Sequence, residues 1–189
     1  ECNVSLRDTF YAAFAALFHL RTDQSDVLIG YQFEGRSHDQ LRRAVGPFEN
    51  WLPTRSQLEM NSTFRDFLAV THQCLTANHQ NQHVPLSRLL DRLNMQRDTD
   101  YESLVQVAFA MSQDGLAGDQ NCSLFRIGRR GHTLDLDGML IETIDLRETC
   151  ESNHRPVPQF GGDLSLEVGV SGGRTLGWWH FNRNLFAPE

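Results

Sequence analysis

The sequence predicts an α+β fold, a mixed β-sheet with helices packed on one face. Three observations carry that expectation. Apolar residues recur at helical spacing through much of the first half. Short runs rich in β-branched and aromatic residues fill the second half. One such run, residues 27–33, interrupts the helices early. The 189 residues suit one domain or one large lobe of a bigger one, and 40% hydrophobic content is enough to build a core.

The elements follow in order. Ser5-Leu6-Arg7-Asp8 is a Ser-x-x-Asp helix start. Phe10, Ala13, Phe14 and Leu17 then share one face, while Tyr11, Ala12, Ala15, Ala16 and Phe18 fill the others, so the helix is expected to be buried nearly all round. Residues 23–26 form a polar turn before a strand over 27–33, whose start is apolar on both faces as in a central strand. Ser37 is placed to cap a short helix over 37–41. Pro47 and Pro53 make residues 46–55 a loop or an edge strand. Asn61, Ser62 or Thr63 caps the next helix, with Phe64, Phe67, Leu68, Thr71 and Leu75 on its inner face and fraying near 78–81. Pro85 opens another short helix over 86–93. Strands are expected at 104–111, 123–127, 134–144 (bent at Gly138) and 164–168. The last continues through a hairpin turn at 171–174 into a strand over 175–181.

Bulk properties exclude several function classes. The net charge is −7, and no basic cluster alternates with aromatics, which argues against nucleic-acid binding. No apolar run approaches the roughly 20 residues of a membrane span. Cys2, Cys74, Cys122 and Cys150 form no Cys-x-x-Cys pair, and the chain is Cys-poor for a disulfide scaffold, so reduced thiols and a cytoplasmic location are expected. The opening Glu1-Cys2-Asn3-Val4 reads as a cut inside a longer polypeptide.

Candidate constellations are few. His79 and His83 have i, i+4 spacing with His72 nearby, but no carboxylate accompanies them and the helix is expected to break between them, so zinc binding is disfavoured. Ser37-His38-Asp39 cannot form a triad, because adjacent side chains diverge. Ser171-Gly172-Gly173 reads as a turn rather than a nucleophile elbow. Asp135 and Asp137 share a strand face, which suits a solvated surface.

Two segments say more. Gly46-Pro47-Phe48-Glu49-Asn50-Trp51-Leu52-Pro53-Thr54-Arg55 resembles the Gly-x-Phe-Val-Asn-Thr-x-x-x-Arg motif of condensation domains from nonribosomal peptide synthetases. Asn81-Gln82-His83-Val84-Pro85-Leu86 resembles their His-Gln-Asp-x-Pro-Phe motif, with Asn81 for His and His83 for Asp. Further likenesses fall in order: Thr9-Phe10-Tyr11, Asp26-Val27-Leu28-Ile29-Gly30, Gly35-Arg36, Phe64-Arg65-Asp66-Phe67-Leu68, Arg97-Asp98, Gln106-Val107-Ala108-Phe109 and Phe181-Asn182-Arg183-Asn184-Leu185-Phe186. The His-His-x-x-x-Asp-Gly motif that carries the family's catalytic base is not in the chain.

This resemblance implies a chloramphenicol-acetyltransferase-like lobe: residues 1–189 as the C-terminal subdomain, without the N-terminal one. Such a lobe forms half of a tunnel in which a carrier-bound amine attacks a carrier-bound thioester. It implies no cofactor bound directly, only the phosphopantetheine arms of carrier proteins as substrate carriers. The implied partners are the N-terminal subdomain, peptidyl and aminoacyl carriers and an adjacent adenylation domain, and the isolated lobe is expected to self-associate. No catalytic residue is assigned. Glu49, Asn50, Trp51, Gln82, His83 and Gln106 are assigned to the tunnel, and Arg55, Pro85, Arg97 and Asp98 to structural or interlobe roles. Asn50 is open to two readings, holding a pantetheine amide or substrate carbonyl, or satisfying loop backbone. Trp51 either walls the tunnel or fills core. Arg55 is expected to pin a loop or meet a carboxylate of the other lobe. The sister activities carry signatures absent here: Gly-x-Gly-Tyr-Gly after Leu93 for epimerization, and Phe-Thr-Ser at Ala108-Phe109-Ala110 for heterocyclization. The substitutions around Asn81 and His83 leave room for a non-catalytic binding module, and a transferase using a free acceptor is a more distant possibility.

Overall fold

The computed structural model describes residues 4–36, 38–41, 44–59, 61–93, 105–113, 133–142, 162–171 and 173–186. The chain divides into two compact units, Glu1–Phe109 and Ala110–Glu189.

In the first unit, α1 (Leu6–Thr22) leads into β1 (Asp26–Phe33), a single 3-10 turn (Asp39–Leu41) and β2 (Asn50–Gln57). Two helices follow, α2 (Phe64–Gln80) and α3 (Leu86–Arg92), and then the start of β3 (Val107–Gln113). β1 lies between β2 and β3. It pairs antiparallel with β2, from Asp26↔Gln57 to Phe33↔Asn50, and parallel with β3 from Ile29↔Val107 to Tyr31↔Phe109. The sheet is therefore mixed, and the long connection needed between parallel neighbours is supplied by β2, α2 and α3. Pro53 sits opposite Gly30 in β2, which among the described residues has β1 alone beside it, so its missing N–H is tolerated at an edge.

The helix starts follow side-chain chemistry. The Ser5 hydroxyl accepts from the Asp8 amide at 3.0 Å. Of the three candidate caps for α2, Thr63 is used, because only it has a carboxylate three residues on. Asp66 takes the Thr63 amide and hydroxyl at 3.1 and 2.6 Å, and its own amide donates to Thr63 Oγ1.

The burial of α1 corrects the sequence reading. Its inner face is Tyr11, Ala12, Phe14, Ala15 and His19, while Ala13, Leu17 and Leu20 are exposed, Leu20 at 77%. Two neighbouring stripes are both apolar, so periodicity cannot tell them apart. In α2, Phe67, Leu68, Thr71 and Leu75 are buried as expected, but Phe64 at the first turn is exposed. The core centres on Phe109, fully buried, with ring centroids 5.7 Å from Tyr11, 5.6 Å from Phe14 and 6.1 Å from Tyr31. Burial pushes the Tyr31 phenol up to about 12, and that of Tyr11 up further, so both phenols stay protonated. Buried His19 joins the α1–β1 turn to β2: Nδ1 meets the Gln24 carbonyl at 2.6 Å and Nε2 the Ser56 hydroxyl at 3.1 Å.

In the second unit, β3 ends at Gln113, and β6 (Leu164–Ser171) lies between it and β7 (Arg174–Phe181). β6 and β7 form the expected hairpin, paired from Leu164↔Phe181 to Ser171↔Arg174. A separate hairpin joins β4 (Thr133–Leu136) and β5 (Met139–Glu142). Here the expected single bent strand is corrected. Asp137 and Gly138 both have positive φ, 52° and 88°, and the Gly138 amide donates to the Asp135 carboxylate at 2.8 Å. Asp-Gly turns the chain back instead of bending it. The Ser37 cap and the strand expected at 123–127 lie outside the described residues.

No helix among the described residues is long and apolar enough to cross a membrane.

Candidate functional site

Both motif segments lie in the first unit, and one side chain joins them. Asn50 opens β2 opposite Phe33. Its amide nitrogen donates to the Gln82 carbonyl at 2.8 Å and the Val84 carbonyl at 2.6 Å, tying β2 to the turn between α2 and α3. Neither donor is left over. The Asn50 Oδ1 has no hydrogen-bond partner among the described residues, so the group it retains for another molecule is an acceptor.

The turn is shaped locally. α2 stops at Gln80, and the Asn81 side chain donates back to the Ala77 carbonyl at 3.1 Å. Gln82 is buried, its side-chain nitrogen 3.0 Å from the His79 carbonyl and 3.2 Å from the His79 ring. His79 in turn packs against Phe33, centroids 6.1 Å apart. Pro85 precedes the first helical residue of α3 in extended conformation, φ −63°, and its carbonyl accepts from Arg88 at 3.0 Å. His83 projects into solvent between these anchors. The i, i+4 histidines thus lie on either side of the helix end. Among the described residues no group of three or more His, Cys, Asp or Glu side chains is arranged to hold a metal ion.

Beside Asn50, Glu49 is exposed and accepts from Gln32 Nε2 at 2.9 Å. Trp51 is half-buried and lies in register with Gln32. Sequence reasoning misses Gln32, although its alternation out of the core face of β1 is an available signal. Gln106 is exposed and precedes Val107, whose partner Ile29 lies nearer the middle of β1 than Phe33 does. Arg55 stands towards the other end of β2. Its Nε and Nη2 grip the Asp26 carboxylate, at 3.0 and 2.6 Å, and Gln57 adds a contact at 3.4 Å, so the guanidinium is engaged within this unit. Arg97 and Asp98 lie outside the described residues.

Hydrogen bonds from Arg55 hold the Asp26 carboxyl below its ordinary value of 3.8, and the Thr63 hydroxyl does the same to Asp66. A carboxyl whose folded pKa is depressed adds stability above its unfolded pKa and loses it as pH falls through the folded one. Both groups are solvent-exposed, so the effect is small. Urea melts from pH 7 down to 3 should show a slightly shallower acid loss in Asp26→Asn than in the parent chain, and an unchanged slope would remove Asp26 as a source of the pH dependence.

The loop entering the site is held by Gly35 and Arg36. Gly35 has φ 66°, and a Cβ there would sit 1.7 Å from the Phe48 carbonyl oxygen. Gly35→Ala combines left-handed strain with a backbone clash and is expected to cost at least about 1–3 kcal/mol. A thermal melt within a degree of the parent would contradict this.

The fold matches solved structures over almost the whole chain. A four-domain nonribosomal peptide synthetase bound to AMP and glycine superposes with TM-score 0.76 at 22% identity, over 96% of this chain and 13% of that one. The first condensation domain of the calcium-dependent antibiotic synthetase, in complex with a substrate analogue, gives 0.66 at 13% identity, over 98% of this chain and 35% of that one. These define a chloramphenicol-acetyltransferase-like α+β fold. The sequence narrows the class further. The condensation-domain family model matches residues 1–135, and the chain belongs to that family. Among relatives, a linear gramicidin synthase of Brevibacillus parabrevis is 32% identical over 152 residues, 77% of this chain but 3% of that protein. Phosphinothricin tripeptide synthetase PhsC of Streptomyces viridochromogenes is 32% identical over 127 residues, 67% of this chain and 12% of that protein. The chain spans only a small part of the length of each.

Proposed function

We propose that the chain is the C-terminal subdomain of a peptide-synthetase condensation domain, supplying one wall of the tunnel in which a carrier-bound amine and a carrier-bound thioester are joined as an amide. The observation that supports this most is the Asn50 clip. Two segments far apart in sequence, each resembling a family motif, are drawn into one surface by its two hydrogen bonds.

In this reading the wall positions and does not exchange protons. Holding two reactants in attack geometry accounts for about 7–11 kcal/mol of a barrier. The Oδ1 of Asn50 accepts from an amide N–H of a phosphopantetheine arm, and the neighbouring Glu49, Trp51 and His83 line the approach. The proton of the attacking amine is handled by a histidine of the N-terminal subdomain, whose His-His-x-x-x-Asp-Gly motif this sequence lacks. The partners are that subdomain, peptidyl and aminoacyl carriers, and a neighbouring adenylation domain. The exposed Leu6, Leu17 and Leu20 on α1 support self-association of the isolated lobe, which light scattering across a concentration series would detect.

The test is reconstitution. The chain is mixed with a condensation N-terminal subdomain and two loaded carriers, and amide product is followed by mass spectrometry. Product is expected with both halves and none with either alone. Product from this chain alone would overturn the reading.

A second reading, a non-catalytic module that binds a carrier or partner, is favoured by Asn81 and exposed His83, where the family motif has His and Asp. It is distinguished by saturable binding of a loaded carrier without product when the N-terminal half is present.

A further inference from the structure

Between the paired residues Phe33 and Asn50 the chain makes a long excursion, in which the described residues hold one 3-10 turn, Asp39–Leu41. A loop of that length held only at its ends leaves its boundary pair free to fray. Arg36 ties part of the excursion together. Its Nη1 donates to the Leu41 carbonyl and, at 2.7 Å, to the Ala44 carbonyl, and Nη2 donates to the Gly46 carbonyl at 3.4 Å. The guanidinium carbon also lies 4.6 Å from the centroid of the Phe48 ring. One planar fork therefore gathers three carbonyls and an aromatic face. The Phe48 carbonyl also lies close against Gly35, where only a residue without a Cβ fits. Asn50 follows two residues later.

We propose that Arg36 is the positioning residue for Asn50: by collecting the loop into a preformed unit, it sets where β2 begins and seats the Asn50 amide between the Gln82 and Val84 carbonyls. Lysine cannot replace it, since an ammonium is a point donor with no fork and no flat face to lay on Phe48. That Asn50 then meets a carrier-bound substrate rests on the proposed function. That Arg36 seats Asn50 does not, and its test uses no substrate.

Hydrogen exchange of the Asn50 side-chain amide, followed by NMR on the full chain and assigned by its loss in Asn50→Asp, reads the seat directly. In Arg36→Ala and Arg36→Lys the exchange rate is expected to rise at least about tenfold, while the backbone amides of Ile29 and Tyr31 in β1 keep their protection. If Arg36→Ala fails to fold, Arg36→Lys carries the test. An unchanged Asn50 rate would overturn the proposal. So would a rise shared equally by the β1 amides, which would make Arg36 a general stability residue.

Discussion

Phe109→Ala is expected to destabilise the first unit by about 3–5 kcal/mol, the range for removing a buried aromatic ring. The reason is where the ring stands. Phe109 is wholly shielded from solvent, and Tyr11, Phe14 and Tyr31 from α1 and β1 all touch it. Its removal leaves a cavity walled by rigid aromatics on a paired strand, which cannot collapse far. Domains have only about 5–15 kcal/mol in total, so much of the margin goes. Urea denaturation followed by circular dichroism would measure it. A loss below about 1 kcal/mol would mean that the aromatic cluster is not the centre of the core.

Asn50→Asp is expected to lower stability and, on the proposed function, synthesis in the reconstituted system. It is close to isosteric, yet it replaces two donors by a carboxylate facing the Gln82 and Val84 carbonyls, 2.8 and 2.6 Å away. Losing both bonds and setting oxygen against oxygen is expected to cost about 2–3 kcal/mol. In reconstituted synthesis the product rate should fall at least about tenfold, the effect of about 1.4 kcal/mol lost at the transition state. Asn50→Ala, which removes the bonds without the repulsion, should be milder in stability and similar in rate. If Asn50→Asp matched the parent in both melt and product, the clip would be neither structural nor functional.

Much of the fold can be read from local signals, and the misses have physical causes. Thr63 with Asp66, Pro85, and the turn at Gly173 are short-range devices, so α2, α3 and the β6–β7 hairpin are legible before folding is considered. The inner face of α1 is not, because Ala13 and Leu17 are as apolar as Ala12 and Ala15. The Asp137-Gly138 reversal carries a local Asp-Gly turn signal, and reading one strand through it gives too much weight to the apolar residues on either side. For the candidate site, the two motif segments are visible as patterns. The Gly35-Arg36 pair is visible as part of the family likeness, but nothing local shows that its guanidinium reaches the carbonyls of Leu41, Ala44 and Gly46.

Residue order alone settled the Ser5 cap of α1 and the β6–β7 hairpin, narrowed the α2 cap to three neighbouring residues and narrowed residues 46–55 to a loop or an edge strand. All of these depend on neighbours a few residues apart. The partners of Asn50, Arg36 and Arg55 emerged only from the folded chain. Each is a hydrogen-bonding fork with several possible acceptors, and which it meets depends on how β1, β2 and the α2–α3 turn come together. Periodicity does not encode that choice, because it is made by long-range pairing.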